Sequence, residues 1–354
     1  MAALGNRVIT TTNYKLMPKL VDTILHSNVL ATRMLANAKK WSGLNMQFPI
    51  KWQKGVAGTS FSGFQTFSTA ASDTRVNLLF VPKFYETNVA LPLDEISANQ
   101  TDERVLDLAK LEIASRAQDM ADSIGTLFFG DGSGNGSQDF NGLSNIVDNG
   151  SDQAVYGSLN RNTYPTIQAT VTASGGTLSL AKMSTLYTTI TSGTQKPTVG
   201  VCPPAVFSLY ESLVQPQERI VKDVSMMKNE NRGLNSGTGL IGGTGFTGLF
   251  FKGFPILADE KATTALNGTG NLYFLNEDFL DFYALPLAMT EPVKYKTQDI
   301  EGNDYSEVEG LGFSWSNWIK PTNSASVIGH VYLGGEFISE NPLRQGVLTG
   351  CTSV

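Results

Sequence analysis

Side chains able to do chemistry are few in this chain, and their spacing argues against most reactions. The two histidines, His26 and His330, stand near opposite ends and have no metal-ligand spacing between them. Neither Cys202 nor Cys351 has a histidine nearby in sequence, and no Gly-x-Ser-x-Gly elbow is present. Gly243-Thr244-Gly245-Phe246-Thr247-Gly248 matches a dinucleotide fingerprint letter for letter. That chemistry needs a strand before the glycines and a helix N-terminus after them, to aim amides at a pyrophosphate. Here an Asn/Gly/Ser-rich stretch precedes it and a strand-like Leu249-Phe250-Phe251-Lys252 follows, so a loop is expected. Asp131, Ser133, Asn135 and Gly136 imitate the start of a calcium loop, but its twelfth position is Gly142, where a bidentate Glu is required. Asp299, Glu301, Asp304, Glu307 and Glu309 form an acidic cluster without the apolar pocket that would hold one carboxyl neutral for acid–base work. The expectation is a protein that is not an enzyme and needs no cofactor or metal.

The elements around these residues are more informative. Met46, Phe48, Ile50 and Trp52 alternate with Gln47, Lys51 and Gln53, the period of a half-buried strand. A second strand is predicted from Val76 to about Leu91, with Pro82 suiting an edge or bulge. Between them lies a loop of 23 residues, 53 to 75, unusually long for a compact domain. It is Gly/Ser/Thr-rich yet carries Phe61, Phe64 and Phe67. Three aromatics on a flap with no core beneath it would be a liability in a monomer, and a neighbouring subunit would cover them.

Charge patterning points the same way. Charged residues make up only 16% of the 354, low for a chain that shows water its whole surface. The net charge is −6, but residues 1–55 carry eight basic side chains (Arg7, Lys15, Lys19, Arg33, Lys39, Lys40, Lys51 and Lys54) against the single acid Asp22. That surplus of seven leaves thirteen net negative charges on the remainder. A basic arm on an acidic body invites docking of one copy onto the next, or contact with nucleic acid. Two cysteines define no disulfide framework, which fits a reducing compartment. No apolar stretch approaches the roughly 20 residues that span a bilayer. The sequons at Asn135, Asn149 and Asn267 are read as turns.

Along the chain, Pro18 suits the start of a short helix, and Ser27 or Asn28 can cap another that carries Val29, Leu30, Met34 and Leu35 and ends near Lys39 and Lys40. This arm has an apolar stripe and little local surface to bury it against. The clearest helix runs from Thr101 to about Phe129, with Asp102 and Glu103 at its N-terminal pole and Leu106, Ala109, Ile113, Ala117, Met120, Ile124 and Leu127 in one stripe. Such a helix is about 43 Å long. Gly130-Asp131-Gly132 stops it. Residues 134–147 are expected to re-enter a sheet. Leu178 to Thr191 and Pro203 to Leu213 read as helices, with Pro197–Cys202 between them as a buried strand. Strands are predicted over Leu249–Leu257, Leu272–Leu275, Phe279–Tyr283 and Val327–Phe337, followed by a polar tail.

This order resembles the major capsid proteins of tailed bacteriophages, the Hong Kong lambdoid-phage type of shell fold that encapsulins share. The residues carrying the likeness are Ser72-Asp73-Thr74-Arg75-Val76 through Val81-Pro82-Lys83 to Leu91-Pro92-Leu93-Asp94-Glu95; then Phe128-Phe129-Gly130-Asp131-Gly132-Ser133-Gly134 with Phe140-Asn141-Gly142-Leu143; and finally Glu340-Asn341-Pro342-Leu343-Arg344-Gln345-Gly346-Val347-Leu348-Thr349-Gly350. The resemblance implies an α+β fold with an N-terminal arm (1–45), an extended loop (46–95), a peripheral domain with the spine helix (96–150), an axial domain (151–322) and a C-terminal return to the peripheral domain (323–354). It implies pentamers and hexamers closing an icosahedral shell around double-stranded DNA, in a virion assembled in the bacterial cytoplasm. A separate scaffolding protein, a portal and a decoration protein are the implied partners. Phe61, Phe64, Phe67, Lys51, Lys54, Arg33, Lys39 and Lys40 are the candidate inter-subunit contacts. An encapsulin-type compartment is the rival within the fold. A glycan- or cation-binding β-rich protein is the rival outside it.

Overall fold

The computed structural model describes residues 28–41, 43–64, 66–67, 69–98, 108–214, 249–262, 264–265, 269–285, 291–295, 308–316 and 318–352. The expectations for Pro18, His26, Thr101 to Leu106, the 243–248 glycines and Asp299 to Glu307 lie outside them. The first half holds α1 (Val29–Ala36), β1 (Lys39–Lys40), β2 (Met46–Lys51), β3 (Arg75–Phe80), β4 (Lys83–Pro92), α2 (Leu93–Ala98) and α3 (Leu108–Leu127). Two helical turns at 134–137 and 143–146 follow, then β5 (Val155–Tyr156), β6 (Leu159–Asn160), β7 (Thr170–Thr177), α4 (Leu180–Ile190), β8 (Val199–Cys202) and α5 (Pro204–Val214). Among the described residues that follow are β9 (Leu249–Phe251), β10 (Phe254–Ala258), β11 (Thr264–Ala265), β12 (Thr269–Leu275), β13 (Leu280–Ala284), β14 (Glu291–Tyr295), β15 (Val308–Trp315), β16 (Ser326–Ser339), a helical turn at Pro342–Arg344 and β17 (Gly346–Thr352).

Two sheets organise these elements. One runs β1-β13-β16-β15-β14, with β4 also paired to β16 over ten residues, Lys83 opposite Gly335 through Pro92 opposite Ser326. The other runs β7-β17-β12-β8-β10-β9, with β11 on β12. The second sheet is buried on both faces, which explains why β8 reads as an unbroken apolar run. Val199, Val201, Tyr273, Leu275 and Val347 face the main core shared with the first sheet and α3. Their alternate neighbours Cys202, Leu272, Phe274 and Leu348 face a second core closed by Met183, Leu186 and Ile190 of α4 and Val206 and Tyr210 of α5. Ser179 caps α4, accepting the Lys182 amide at 3.3 Å.

Several expectations are corrected. The predicted strand from Val76 to Leu91 is two strands, broken at Val81-Pro82, because proline donates no ladder hydrogen bond and the chain leaves one sheet for another there. The segment 134–147 forms helical turns rather than a strand, and it still buries Phe140, Leu143, Ile146 and Val147. The described part of the spine helix is Leu108–Leu127, and it ends as predicted, with Gly132 at φ +78°. Asn135 adopts φ +50°, and the Asn149 side chain accepts the Ser151 amide, so both sequon asparagines are turn residues. The tail read as polar is β17, inserted between β7 and β12. A boundary at residue 323 therefore does not follow the sheets: β13, β14 and β15 belong with β16 in the first, and β17 belongs to the second.

The arm is the largest correction. Leu30, Ala31, Met34, Leu35 and Trp41 are buried in the main core, so residues 28–41 are body rather than an arm awaiting a neighbour. Asn28 precedes α1 but provides no side-chain cap. The Leu30 amide instead donates to Asp259 Oδ2 at 2.9 Å. Asn28 donates to Asp122 of α3 at 3.1 Å, and Lys261 pairs with the other oxygen of that carboxylate at 2.7 Å. Burial pushes the Asp259 carboxyl above its ordinary range, although the amides it accepts pull the other way.

Candidate functional site

The flap has a packed root and a bare tip. β2 and β3 pair antiparallel from Met46 opposite Phe80 to Lys51 opposite Arg75, and exposure alternates along β2 as the sequence predicts. Phe48 lies edge-on to Phe80 at 6.0 Å and against Tyr283 at 5.4 Å, and Phe80 meets Tyr156 at 5.3 Å. Gly157 fits the β5–β6 turn against this root: it adopts φ +54°, and an added Cβ would lie 2.7 Å from Leu78. The Leu79 amide donates to the Gly157 carbonyl at 2.9 Å. Trp52, packed edge-on to Tyr164 at 5.3 Å, and its amide bond to the Thr74 carbonyl at 3.1 Å mark where packing stops.

Beyond that point Phe61 and Phe67 pair edge-on at 5.1 Å, yet remain 64% and 62% exposed, and Phe64 is 112% exposed. Val56 on the tip, Val81 and Phe84 where the ribbon joins β4, and Val155 on the neighbouring hairpin are at least half exposed as well. Lys51 and Lys54 flank the tip, and Lys40 follows α1; all three are exposed.

The other predicted cations lie against their own chain. Arg33 makes a two-pronged bond to Glu277, at 2.8 and 3.0 Å, and Thr198 supports the same carboxylate at 2.9 Å. Lys39 pairs with Asp281 at 2.6 Å and lies 3.9 Å from Glu340. These contacts line a cavity of about 250 Å³ whose walls are mostly charged. Arg33 and Lys39 thus pair within their own chain, because β1 runs beside β13 and brings Lys39 to Asp281, while α1 carries Arg33 to Glu277 in the turn before that strand.

Elsewhere the chemistry is structural. Among the described residues no three His, Cys, Asp or Glu side chains gather as a metal site. His330 Nδ1 lies 2.8 Å from Glu86 on the adjacent strand. Both cysteines are buried; burial raises the thiol of each, that of Cys351 to about 11, so neither is a ready nucleophile. Asp131 accepts the Ser133 amide and hydroxyl, which hold its carboxyl below the ordinary value and complete a turn. Arg161 is fully buried, donates to the carbonyls of Asn145, Asp148 and Ile167, and lies 5.0 Å over the Tyr156 ring. Sequence reasoning missed Arg161, and also Lys83, Glu277, Asp281 and Glu336, whose partners are remote in sequence. Only Asp281 and Glu336 carried a signal, each as an acid inside an apolar strand pattern.

No described sequence family matches this chain, and no curated protein sequence does. Its fold is that of phage capsids and of an encapsulin. Over 96% of its length it superposes on 97% of a chain in the capsid asymmetric unit of cyanophage A-1(L), with a TM-score of 0.66 and 14% identity. The holo-SrpI encapsulin complex of Synechococcus elongatus PCC 7942 matches over 96% of this chain and 92% of its own, at a TM-score of 0.58 and 12% identity. The capsid of a native GTA particle matches over 99% and 100%, at 0.57 and 10%.

Proposed function

We propose that this chain is a major capsid protein, a non-catalytic subunit that assembles with copies of itself into a closed shell. The observation that carries this reading is the flap: a ribbon anchored by aromatic packing at its root, bearing three exposed phenylalanines at its tip. The end-to-end likeness to shell-forming chains supports it. Contacts that build rings of identical subunits must be heterologous, one surface meeting a different surface of the next copy. A projecting flap and a receiving body meet that requirement. Burying the three aromatics and nearby strand surface, roughly 300–500 Å², would contribute on the order of 7–12 kcal/mol gross at about 25 cal/mol/Å². Association entropy and ordering of the flap remove most of this. Each contact is then weak enough for errors to dissociate, while many simultaneous contacts hold a finished shell.

In the finer reading, pentamers and hexamers enclose double-stranded DNA without reading its sequence. A scaffolding protein, a portal and a decoration protein serve as partners, and assembly takes place in the host cytoplasm. The encapsulin match supports a second reading, a compartment filled with protein cargo. Electron microscopy of the expressed chain tests the shell itself, and nucleic acid rather than a cargo protein inside purified particles selects the phage reading. Deleting residues 55–72 is expected to leave a folded subunit that forms no particles; normal particles from that deletion would refute the flap's role.

A further inference from the structure

One carboxyl group is enclosed where the flap ribbon meets the body. Glu336 on β16 is about 1% exposed. Its Oε1 accepts the Asn141 amide at 2.6 Å and the Phe337 amide at 3.2 Å. Its Oε2 faces Lys83 Nζ at 3.7 Å, within ion-pair range but too long for a hydrogen bond. Lys83 is the first residue of β4, directly after the unpaired Val81-Pro82 step, and its ammonium also donates to the Asp139 carbonyl. Three elements therefore converge on one acid: the flap root, the turn after the spine helix, and β16.

The surrounding charges leave Lys83 as the cation facing it. Across the ladder on β13, Tyr283 stands opposite Glu336 and donates its hydroxyl to Glu340 at 2.6 Å. Lys39 on β1 is engaged by Asp281 and Glu340. From the hairpin side, the Tyr156 hydroxyl donates to the Ser339 carbonyl at 2.9 Å. Burial raises both phenols, so neither ionises near neutrality. On the turn side, Asp131 is held low by Ser133, and Asp139 meets Lys83 through its backbone carbonyl.

We propose that Glu336 is a proton-sensitive clasp for the flap: protonated, it keeps the root closed on the post-helix turn; ionised, it favours an open root in which Glu336 and Lys83 are hydrated. Burial pushes this carboxyl up to about 7 from 4.5, against the pull of Lys83 and the two amides. The neutral acid keeps both amide bonds on Oε1 and carries its proton on Oε2. Opening returns the carboxyl to water, and the proton goes to solvent. The closed root is therefore favoured in full below about pH 4.5, and that advantage is lost as pH rises towards 7. Above 7 both forms are ionised and pH has no further effect. This holds for the single subunit, whatever it assembles into.

Hydrogen exchange of the full-length chain from pH 4 to 8, normalised for the chemical exchange rate, tests the clasp. In the window 75–92 the open fraction should rise roughly tenfold per pH unit between about 5 and 7, then level off. Glu336→Gln should abolish the rise. Lys83→Met, which removes the facing cation, should move it to higher pH and decides the matter if the first variant fails to fold. A flat wild-type profile, an unchanged rise in Glu336→Gln, or an unmoved one in Lys83→Met overturns the proposal. So does an equal rise in windows 199–202 and 269–275 of the second sheet, which would mark global loosening.

Discussion

Residues 28–41 and residues 53–74 pose the same sequence problem, an apolar set with no local surface to cover it, and the fold solves it in opposite ways. In the first, α1 and Trp41 enter the main core and both Arg33 and Lys39 find acids on the same chain. In the second, the aromatics stay in solvent although the strands beneath them are packed. An apolar stripe reports that a partner exists; it does not report whether that partner is the same molecule. Helical spacing gave the 28–41 stripe a continuous face to bury. The flap's phenylalanines sit among glycines and serines, with no element to present them together.

Mutations can break or sharpen this contrast. Leu30→Ala should lower folding stability most, by about 2–5 kcal/mol, because it opens a cavity in a fully buried site. Denaturant titration measures it, and a loss under 1 kcal/mol would mean that α1 is only lightly docked. Arg33→Met should cost roughly 2 kcal/mol by leaving the largely buried Glu277 carboxylate without its guanidinium. Gly157→Ala should cost about 1–2 kcal/mol, since the turn needs a left-handed residue and Leu78 occupies the added methyl's space. Phe64→Asp should leave the melting temperature of the subunit unchanged while abolishing particles in electron micrographs. Equal loss of stability and assembly would make Phe64 an ordinary core residue and erase the difference between the two regions.

Periodic segments were legible. The stripes of α4 and α5, the apolar run of β8 and the alternation of β2 each followed from burial of a regular face. What escaped depended on remote partners. β17 reads as polar because Thr349, Gly350 and Thr352 dilute Val347 and Leu348, yet strands on both sides bury it. The split at Val81-Pro82 was visible as a proline, but not as the point where one sheet hands the chain to another. Of the candidate contacts, the exposure of Phe61, Phe64 and Phe67 was readable from composition. The fate of Arg33 and Lys39 was not, because it turned on acids more than two hundred residues away.

The position of β17 also sets a timetable for synthesis. Its parallel partner β7 is made about 175 residues earlier, and that sheet keeps a gap between β7 and β12 until Gly346 to Thr352 arrive. A nascent chain therefore cannot complete its second layer before these residues have been made, and fragments cut short upstream of Gly346 lack the strand that finishes it. Quality control is thereby built into the order of the polypeptide: only molecules translated through this ladder have a completed second layer.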